Sequence, residues 1–585
     1  MLENANAFPK CEGPSKVVPL SEAVRQLIKP GMALHFAFTH SRANCVAFEI
    51  IRQYYGRQSG FSLIGAGMLE YAIAMAGAGL VRKMVAGFFG DTFPAPAPNR
   101  ILQKAFREGT VEFECWTNLT VCLGLLAGAL DIEFIPTRSL AGSSLIDNNP
   151  QSMRYVNSPF NGIRLPAIRA LKPDLTIIHG LAADAYGNTI LSPPYGEAMW
   201  GVYASKGGVL VTVEQIVSTE VIRKYSSFVK VPGHIVKSVS KVPFGAHPQG
   251  ISNFGLGELF EGYGEDYSFR EEFRKAAKSG PSFQKWLEEW VLSIDHETYL
   301  RKLGHETLAF LKKKADPKFW ESQIQNLKSE LKRNTGLPEW KSSEAMIVAA
   351  ANLITQEVKN CYYTTVLAGI GASHLAAWLA KSRMNADHFD LLTETGFYGY
   401  LPTLGDPFIF NLANVSTCKM QSDFIQILGA IVGSEYKSCL GVLSSAEIDK
   451  HGNINSTKKP KEALFLVGGG GSNDVASNAA VVIALSKHNR ERLVERVNFI
   501  TCPGERVRYL VTDKAFLKKN DFGELVLTGC LTTGKAGTLQ EKIREAKHEC
   551  GWDLRIASEV IELPPPTEKD LQDLRLFDPE GYFTG

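Results

Sequence analysis

The sequence lacks the features that mark membrane, nucleic-acid and metal-binding proteins. No apolar run reaches the roughly 18–20 residues that cross a bilayer, and the start MLENANAFPK has no signal-peptide core. With 63 Lys and Arg against 61 Asp and Glu, the formal charge of +2 leaves no basic excess for nucleic acid or a membrane surface. The 10 cysteines form no C-x-x-C pair, and the 12 histidines show no H-E-x-x-H spacing. These absences predict a cytoplasmic protein with reduced thiols, no metal, and neither a nucleic-acid nor a membrane partner.

Two nucleotide-binding fingerprints are also incomplete. Asn473 stands where the pattern G-x-G-x-x-G, begun at Gly468, requires a glycine. The stretch Gly529–Lys535 approaches a P-loop, but Ala536 follows where a hydroxyl should meet magnesium. We therefore expect no tightly bound cofactor.

The length of 585 residues exceeds what one core holds, because domains run about 100–200 residues. From about Tyr263 to Trp340 the chain turns charged, with apolar residues at three- and four-residue spacing, which predicts amphipathic helices. Elsewhere, apolar segments such as Leu175–Ile178 and Val209–Val213 alternate with helical stretches. This alternation favours an α/β fold with open, mostly parallel sheets covered by helices.

The same local pattern occurs twice, which indicates two homologous units joined by the helical segment. When Phe61 is aligned with Phe389, two apolar strand-like segments coincide, each followed by small residues that include a glycine. The alignment places Ala66 opposite Glu394. The remaining matches are two helix-like segments, Ala43–Tyr54 and Ser373–Lys381, and two turns with an acid before Gly-Asn, His179–Ile190 and Leu443–Ile454.

Glu394 is the leading candidate for chemistry. It follows the apolar run ending at Leu392, lies between two threonines and precedes Gly396. Ligands of open α/β sheets bind at the carboxyl ends of strands, where this carboxylate is expected. A solvated surface charge is the alternative for a single glutamate in a loop.

A second candidate site is the run Gly468–Gly471. It follows the predicted strand Leu464–Val467 and precedes Ser472, Asn473 and Asp474, which are predicted to cap a helix over Val475–Ser486. Bare backbone N–H groups at a helix start can hold an oxyanion or a phosphate. A tight turn without a ligand remains the alternative.

The chain resembles the family I CoA-transferases, most of all glutaconate CoA-transferase, with the α and β subunits fused in one polypeptide. The motifs that carry the resemblance are, in the first half, Gly87–Asn99, VEFECWTNLTVCLGLLAGAL, IPTRSLAGSSL and VPFGAHPQG, and, in the second, AGIGAS, TETG, SSAEIDKHGNINST, GGGGSND and PGERVRYLVTD. The resemblance implies two NagB-RpiA-like α/β domains. We expect an α-like domain with a C-terminal helical part at 1–310, a helical linker at 311–338 and a β-like domain at 339–585.

The resemblance also implies a reaction and its residues. In this family the glutamate of an E-x-G motif is the nucleophile, and Glu394 occupies that position. The implied activity is ping-pong transfer of CoA, a substrate, from an acyl-CoA to a carboxylic acid through an anhydride and a glutamyl-CoA thioester. Expected oxyanion donors are the N–H groups of Gly470, Gly471 and Gly371. Further substrate- or CoA-binding candidates are Gly468, Gly469, Asn473, Ile370, Arg138, Arg506, His40, Arg42 and Glu114. A homodimer or homotetramer of the fused chain is expected.

Two other functions remain open. Relatives of the same fold act on CoA thioesters as ring-opening hydrolases or as decarboxylases, and in these the glutamate is replaced, whereas this chain keeps Glu394. The family's glycine-rich α motif reads LHFAFTHSRAN here, which leaves acid–base roles open for His40 and Glu114. The second alternative is a non-catalytic acyl-CoA-binding scaffold. For Arg138 and Arg506, structural salt bridges are an equal alternative to ligand binding.

Overall fold

The computed structural model describes residues 13–37, 40–253, 256–257, 259–333, 339–384, 388–436, 438–532 and 537–584. Residues 334–338 of the expected linker and residues 533–536 of the P-loop-like stretch lie outside these ranges. Among the described residues, no helix is both long and apolar enough to cross a membrane.

The first half is built on a parallel sheet flanked by helices. Its strands are β1 (Ala33–Phe36), β2 (Phe61–Ile64), β3 (Gly67–Met68), β4 (Val81–Ala86), β5 (Phe88–Phe89), β6 (Glu112–Cys115), β7 (Phe134–Pro136), β8 (Met153–Asn157), β9 (Arg164–Arg169), β10 (Leu175–Ala183), β11 (Thr189–Ile190), β12 (Val209–Ile216), β13 (Val229–Val231) and β14 (Val236–Lys241). Its helices are α1 (Leu20–Leu27), α2 (Asn44–Tyr54), α3 (Glu70–Gly77), α4 (Arg100–Glu108), α5 (Asn118–Ala129), α6 (Leu145–Asn148), α7 (Ala198–Ala204) and α8 (Thr219–Lys224). The parallel strands follow the order β14-β12-β10-β1-β2-β4-β6.

Charged helices separate the two sheets along the chain, as the amphipathic pattern predicts. They are α9 (Tyr267–Ala276), α10 (Gly280–Leu287), α11 (His296–Leu303), α12 (His305–Lys314) and α13 (Pro317–Arg333). Apolar side chains of α9 and α10, such as Phe273 and Trp286, pack into the core of the first half. Helix α12 continues across residue 310, where the expected linker begins.

The second half repeats the architecture. Its helices are α14 (Ser342–Cys361), α15 (Ala372–Arg383), α16 (Ser472–Asn478), α17 (Leu539–Glu549) and α18 (Glu568–Phe577). Its strands are β15 (Thr365–Ala368), β16 (Asp390–Leu392), β17 (Phe397–Tyr400), β18 (Met420–Gln421), β19 (Cys439–Ser444), β20 (Glu447–Asp449), β21 (Ile454–Asn455), β22 (Lys458–Lys459), β23 (Leu464–Phe465), β24 (Val481–Ser486), β25 (Leu493–Val494), β26 (Val507–Thr512), β27 (Ala515–Lys519), β28 (Leu525–Leu531) and β29 (Ile556–Leu563). The large sheet has the order β18-β17-β16-β15-β19-β24-β26-β27-β28-β29.

The predicted internal repeat is present in the sheets. The parallel order β2-β1-β10-β12-β14 in the first half matches β16-β15-β19-β24-β26 in the second. The two Gly-Asn turns also match, because Asp184 accepts the N–H of Asn188 at 2.9 Å and Asp449 accepts that of Asn453 at 3.0 Å. The expected fold class, two mostly parallel α/β domains, is therefore confirmed.

Two local predictions around the glycine run were wrong. The segment Val475–Ser486 is not one helix, since α16 ends at Asn478 and the β-branched run from Val481 forms the buried strand β24. A short apolar run suits a central strand and a helix equally, so its periodicity alone does not decide. The predicted strand Leu464–Val467 shortens to β23, which pairs with β22 outside the large sheet.

Candidate active site

Glu394 lies on a tight turn between two strands. Strand β16 ends two residues before it, and β17 begins at Phe397. The Thr393 hydroxyl accepts the N–H of Phe397 at 3.1 Å and lies 3.0 Å from the hydroxyl of Thr395. Gly396 turns the chain with a φ of +133°, which strongly favours glycine. The two threonines and the glycine therefore fix a half-buried carboxylate at the carboxyl edge of the sheet.

One backbone donor meets this carboxylate. The N–H of Gly471 donates to Oε2 of Glu394 at 2.9 Å. A Cβ at residue 471 would lie only 2.3 Å from the same oxygen. Gly471 is therefore the one position in the glycine run where a side chain would displace the Glu394 carboxylate directly.

The rest of the glycine run lets the two halves approach. The N–H of Gly470 donates to the carbonyl of Gly87 at 2.9 Å, and its own carbonyl accepts the N–H of Asn118 at 3.0 Å. A Cβ on Gly468 would lie 2.5 Å from the same Gly87 oxygen. The glycines thus serve a close backbone contact between residues nearly 400 positions apart.

Asn118 of the first half reaches Glu394. Its side chain lies close enough to the Glu394 carboxylate to lower the pKa of that group through a hydrogen bond. The residues on either side, Thr117 and Leu119, are held by the buried Asp474, which accepts the Thr117 hydroxyl at 2.7 Å and the Leu119 N–H at 3.1 Å. The site is therefore assembled from both halves of the chain.

Both carboxyls of the site ionise less readily than usual. Burial raises the pKa of Glu394 to about 7, the charge of Asp474 adds to this, and hydrogen bonds from Gly471 and Asn118 oppose it. Burial also raises the pKa of Asp474 to about 7, against hydrogen bonds from Thr117, Ser139 and Leu119. A carboxyl in this range is a stronger base than a solvated one, and it keeps a large ionised fraction near neutral pH.

The raised pKa predicts that Glu394→Gln stabilises the protein above neutral pH. A carboxyl whose pKa is higher folded than unfolded destabilises the native state as pH rises from the unfolded pKa through the folded one. The neutral amide of glutamine does not have this destabilising effect. The free energy of unfolding should therefore be higher in Glu394→Gln by roughly 2–3 kcal/mol at pH 8, and the difference should decrease towards pH 5. Urea unfolding at both pH values measures it, with exposed Glu435→Gln as the control. An equal gain at both pH values would contradict the burial of this charge.

The other two predicted oxyanion donors are engaged elsewhere. The N–H of Gly470 donates to the carbonyl of Gly87. The N–H of Gly371 donates to Nδ1 of His374 at 2.8 Å. Each N–H therefore has a structural partner already, and Gly471 is the predicted donor that points at Glu394.

Several residues predicted to bind substrate or CoA hold the glycine run in place. The buried Asn473 accepts the N–H of Leu140 at 2.9 Å and donates to the carbonyl of Thr501 at 2.8 Å. The N–H of Gly468 donates to Ser456, and the carbonyl of Gly469 accepts the N–H of Ser472, each at 2.9 Å. Ile370 is half-buried in the turn between β15 and α15. For Asn473, these contacts amount to a structural role.

The two arginines contact backbone carbonyls. The exposed Arg138 donates to the carbonyl of Gly433 in the other half, and Nε of Arg506 donates to the carbonyl of Ser477 at 3.1 Å. These contacts give each arginine a structural partner in the ligand-free protein, although the partner is a carbonyl and not the carboxylate of a salt bridge.

His40 packs beside the turn that carries Glu394. Its ring centroid lies 5.1 Å from that of Phe397 and 5.6 Å from that of Phe410. Neither ring nitrogen finds a hydrogen-bond partner within the described part of the chain. Burial, aided by the nearby Arg42, lowers the pKa of His40 to about 3, so the ring is neutral. Burial likewise lowers the pKa of Arg42 to about 10.

Glu114 has a different environment. Its carboxylate pairs with Lys83 at 2.5 Å and accepts the indole N–H of Trp116 at 2.9 Å. Burial opposes its ionisation, but the hydrogen bonds from Lys83, Ser152 and Trp116 hold its pKa below the usual value. An ionised, paired Glu114 is poorly suited to the acid–base role that the sequence left open for it in the hydrolase alternative.

Sequence reasoning missed Asn118, Thr117 and Asp474 as parts of the site. A local signal was present, because Thr117 precedes an apolar run and forms a capping box with Thr120 at the start of α5. That signal predicts a helix start, but it does not show that the helix start meets Glu394 from the other half.

Comparison with known proteins supports the two-half organisation. A family model for Coenzyme A transferase matches residues 17–241. The chain is 29% identical to the A subunit of 3-oxoadipate CoA-transferase from Pseudomonas knackmussii, over 47% of this chain and 94% of the relative. It is 28% identical to the B subunit of the same enzyme, over 41% of this chain and 94% of the relative. The A subunit of glutaconate CoA-transferase from Acidaminococcus fermentans is 27% identical, over 51% of this chain and 95% of the relative.

A solved structure matches almost the whole chain in fold. An acyl-CoA transferase of Escherichia coli O157:H7, in a thioester complex with CoA, covers 97% of this chain and 97% of its own, with a TM-score of 0.64 and 15% identity. At that identity the match speaks for the fold alone, and it shows both halves within one polypeptide. The family model and the relatives of both subunit kinds match successive parts of one polypeptide, which is consistent with an enzyme in which A-like and B-like CoA-transferase halves are fused.

Proposed function

We propose that the protein transfers CoA from an acyl-CoA thioester to a carboxylic acid by a ping-pong mechanism with Glu394 as the nucleophile. The observation that carries the proposal is the Glu394 carboxylate, fixed on its turn and bound by the N–H of Gly471 at 2.9 Å. A covalent carboxylate intermediate divides the transfer into steps that retain the energy of the thioester.

In the first step an oxygen of Glu394 attacks the carbonyl carbon of the acyl-CoA. A C–O bond forms, the C–S bond breaks, and CoA leaves as the thiolate, which gives a mixed anhydride between Glu394 and the acyl group. The raised pKa of Glu394, about 7 through burial, makes its ionised form a stronger nucleophile than a solvated carboxylate.

In the second step the CoA thiolate attacks the carbonyl carbon of Glu394 in the anhydride. A C–S bond forms, the bond between the Glu394 carbonyl carbon and the bridging oxygen breaks, the first acid leaves as its carboxylate, and Glu394 carries CoA as a thioester. The negative charge of this tetrahedral intermediate develops on the oxygen of Glu394 itself. The Gly471 N–H is already directed at that carboxylate, so it is a preorganised oxyanion donor. The acceptor acid then repeats both steps in reverse order.

Asn118 is proposed as the second donor. Its side chain lowers the pKa of the Glu394 carboxyl through a hydrogen bond, and it comes from the opposite half. A donor from each half would make the active centre dependent on the contact between the halves. We accordingly propose that the A-like domain, 1–310, supplies Asn118 and that the B-like domain, 339–585, supplies the nucleophile, with 311–338 joining them.

The wall of the acyl site is proposed to include His40. This side chain packs on Phe397, which directly follows the Glu394 turn, and its ring nitrogens have no partner among the described residues. Arg42, the next but one residue, belongs to the same loop. We propose an acyl-CoA and a carboxylic acid as the substrates, with CoA passing between them.

Trapping tests this function. The protein is incubated with a panel of acyl-CoAs, treated with hydroxylamine or borohydride, and digested for mass spectrometry. We expect a hydroxamate or a reduced side chain at Glu394 and at no other carboxylate, and we expect turnover to require an acceptor acid.

The control is Glu394→Gln, which fills the same space without a nucleophilic oxygen and should remain unmodified. A modified residue other than Glu394 would refute the proposed nucleophile. Continued release of free acid and free CoA over many turnovers without any acceptor would favour the hydrolase alternative, and tight acyl-CoA binding without an adduct would favour the scaffold.

A further inference from the structure

Asp474 lies behind Glu394 and bridges the two halves. It is in the first turn of α16, and its side chain is fully buried. One of its carboxylate oxygens accepts the hydroxyl of Thr117 at 2.7 Å, and the other accepts the N–H of Leu119 at 3.1 Å. These two residues are the chain neighbours of Asn118. The chain segment that carries Asn118 is therefore held on both sides.

The first turn of α5 is capped by the other half of the chain. The first two helical N–H groups, those of Asn118 and Leu119, donate to the Gly470 carbonyl and to Asp474. Thr117 completes the turn through its capping box with Thr120. The N–H groups at a helix start have no partner inside the helix, and a negative charge there is favourable. The start of α5 is therefore fixed to the same glycine run that binds Glu394.

We propose that Asp474 is a positioning residue for the reaction: by binding Thr117 and Leu119 across the boundary between the halves, it holds the amide of Asn118 on the nucleophile Glu394. This inference rests on the proposed function. It adds to that function the condition that Glu394 is an active nucleophile only when the two halves are in correct contact.

The charge of Asp474 adds a second effect. Glu394 is the carboxyl that faces it from the β16–β17 turn, and the thiols of Cys122 on α5 and Cys502 also lie within its electrostatic reach. Its negative charge raises the pKa of Glu394, after the larger effect of burial, whereas the hydrogen bond from Asn118 lowers that pKa. Loss of the Asp474 charge and loss of the Asn118 hydrogen bond therefore move the titration of Glu394 in opposite directions.

Two variants test the inference, Asp474→Asn and Asn118→Ala. Both should slow adduct formation on Glu394 by about 10²-fold, because small misplacements of reacting groups have effects of that size. The pH at which Glu394 becomes ionised should rise in Asn118→Ala, because a hydrogen bond to the carboxylate is lost. In Asp474→Asn the released Asn118 amide raises this pH and the lost charge lowers it, so adding Asn118→Ala to Asp474→Asn should neither raise the pH further nor slow the reaction further. That titration is read as the pH dependence of carbodiimide labelling of Glu394, quantified by mass spectrometry, which requires no acyl-CoA.

The outcomes separate the two proposals. A wild-type protein that forms no adduct with any acyl-CoA would refute the proposed function. A wild-type rate in Asp474→Asn would refute the role of Asp474, and so would a further slowing and a further rise of the labelling pH when Asn118→Ala is added to it. If Asp474→Asn does not fold, Thr117→Val replaces it, since it removes the hydroxyl that Asp474 holds. A slower reaction in Thr117→Val, restored by Thr117→Ser, is expected, and wild-type rates in Thr117→Val would overturn the inference.

Discussion

Glu394→Gln is expected to abolish CoA transfer. The amide has nearly the shape of the carboxylate and can accept the Gly471 N–H, but its nitrogen and oxygen are poor nucleophiles, so no anhydride forms. Removal of a covalent nucleophile lowers kcat by about 10⁴-fold or more in well-studied enzymes. The measurement is transfer of labelled CoA from an acyl-CoA to an acceptor acid, followed at saturating concentrations of both.

The matched control is Glu435→Gln, the same change at an exposed glutamate of the second half. It should leave transfer unaltered. Because Glu394→Gln is also expected to be more stable than the wild type at pH 8, loss of activity in that variant cannot come from unfolding. Activity within tenfold of the wild type in Glu394→Gln or Glu394→Ala would refute the nucleophile.

The repeated architecture could be predicted from the sequence because its signals are local. The runs ending at Ile64 and Leu392 are apolar, bounded by turn residues and each preceded by a helical segment, and they form β2 and β16 as expected. The alignment of Ala66 with Glu394 then places the proposed nucleophile on one copy. Strand ends and turn residues are set by near neighbours in the chain, which is why such features are readable.

The partners of Glu394 could not be predicted, because they depend on contacts between distant segments. Asn118 and Glu394 are 276 positions apart, and nothing in the helix-start pattern at Thr117 indicates which carboxylate it meets. The glycine run was interpreted as an anion cradle, yet the N–H of Gly470 is used by Gly87 of the first half. Glycines required by a close approach between halves and glycines required by a ligand look alike in a sequence.

The two copies differ at the position of the proposed nucleophile. In the first half the equivalent residue, Ala66, is fully buried, and its N–H donates to Oε1 of Glu197 at 2.9 Å. The Glu197 carboxylate comes from the start of α7 and accepts a hydrogen bond from the backbone of the turn. In the second half, by contrast, the carboxylate of Glu394 belongs to the turn itself. At the position that matches the proposed nucleophile the first half thus has a structural contact, and Asn118 is its proposed contribution to the site of the second half.

Gly471→Ala is expected to lower kcat by about 10²–10³-fold with little loss of stability. The new methyl group would begin 2.3 Å from Oε2 of Glu394, the far end of a flexible side chain, so the carboxylate moves while the backbone stays. The backbone at Gly471 has a φ of −91°, which alanine adopts without strain. The displaced carboxylate loses the alignment with the N–H donor, and loss of one such donor costs about 2.7–4 kcal/mol of transition-state stabilisation.

The matched control for Gly471→Ala is Gly429→Ala in the same half, where a Cβ would meet no atom closer than Leu119 at 3.5 Å. Both variants add one methyl group, and both should unfold at urea concentrations near that of the wild type. Only Gly471→Ala should lose transfer activity and the Glu394 adduct together. If Gly471→Ala forms the adduct at the wild-type rate, then the Gly471 N–H is not the donor that stabilises the oxyanion, and the glycine is retained for packing alone.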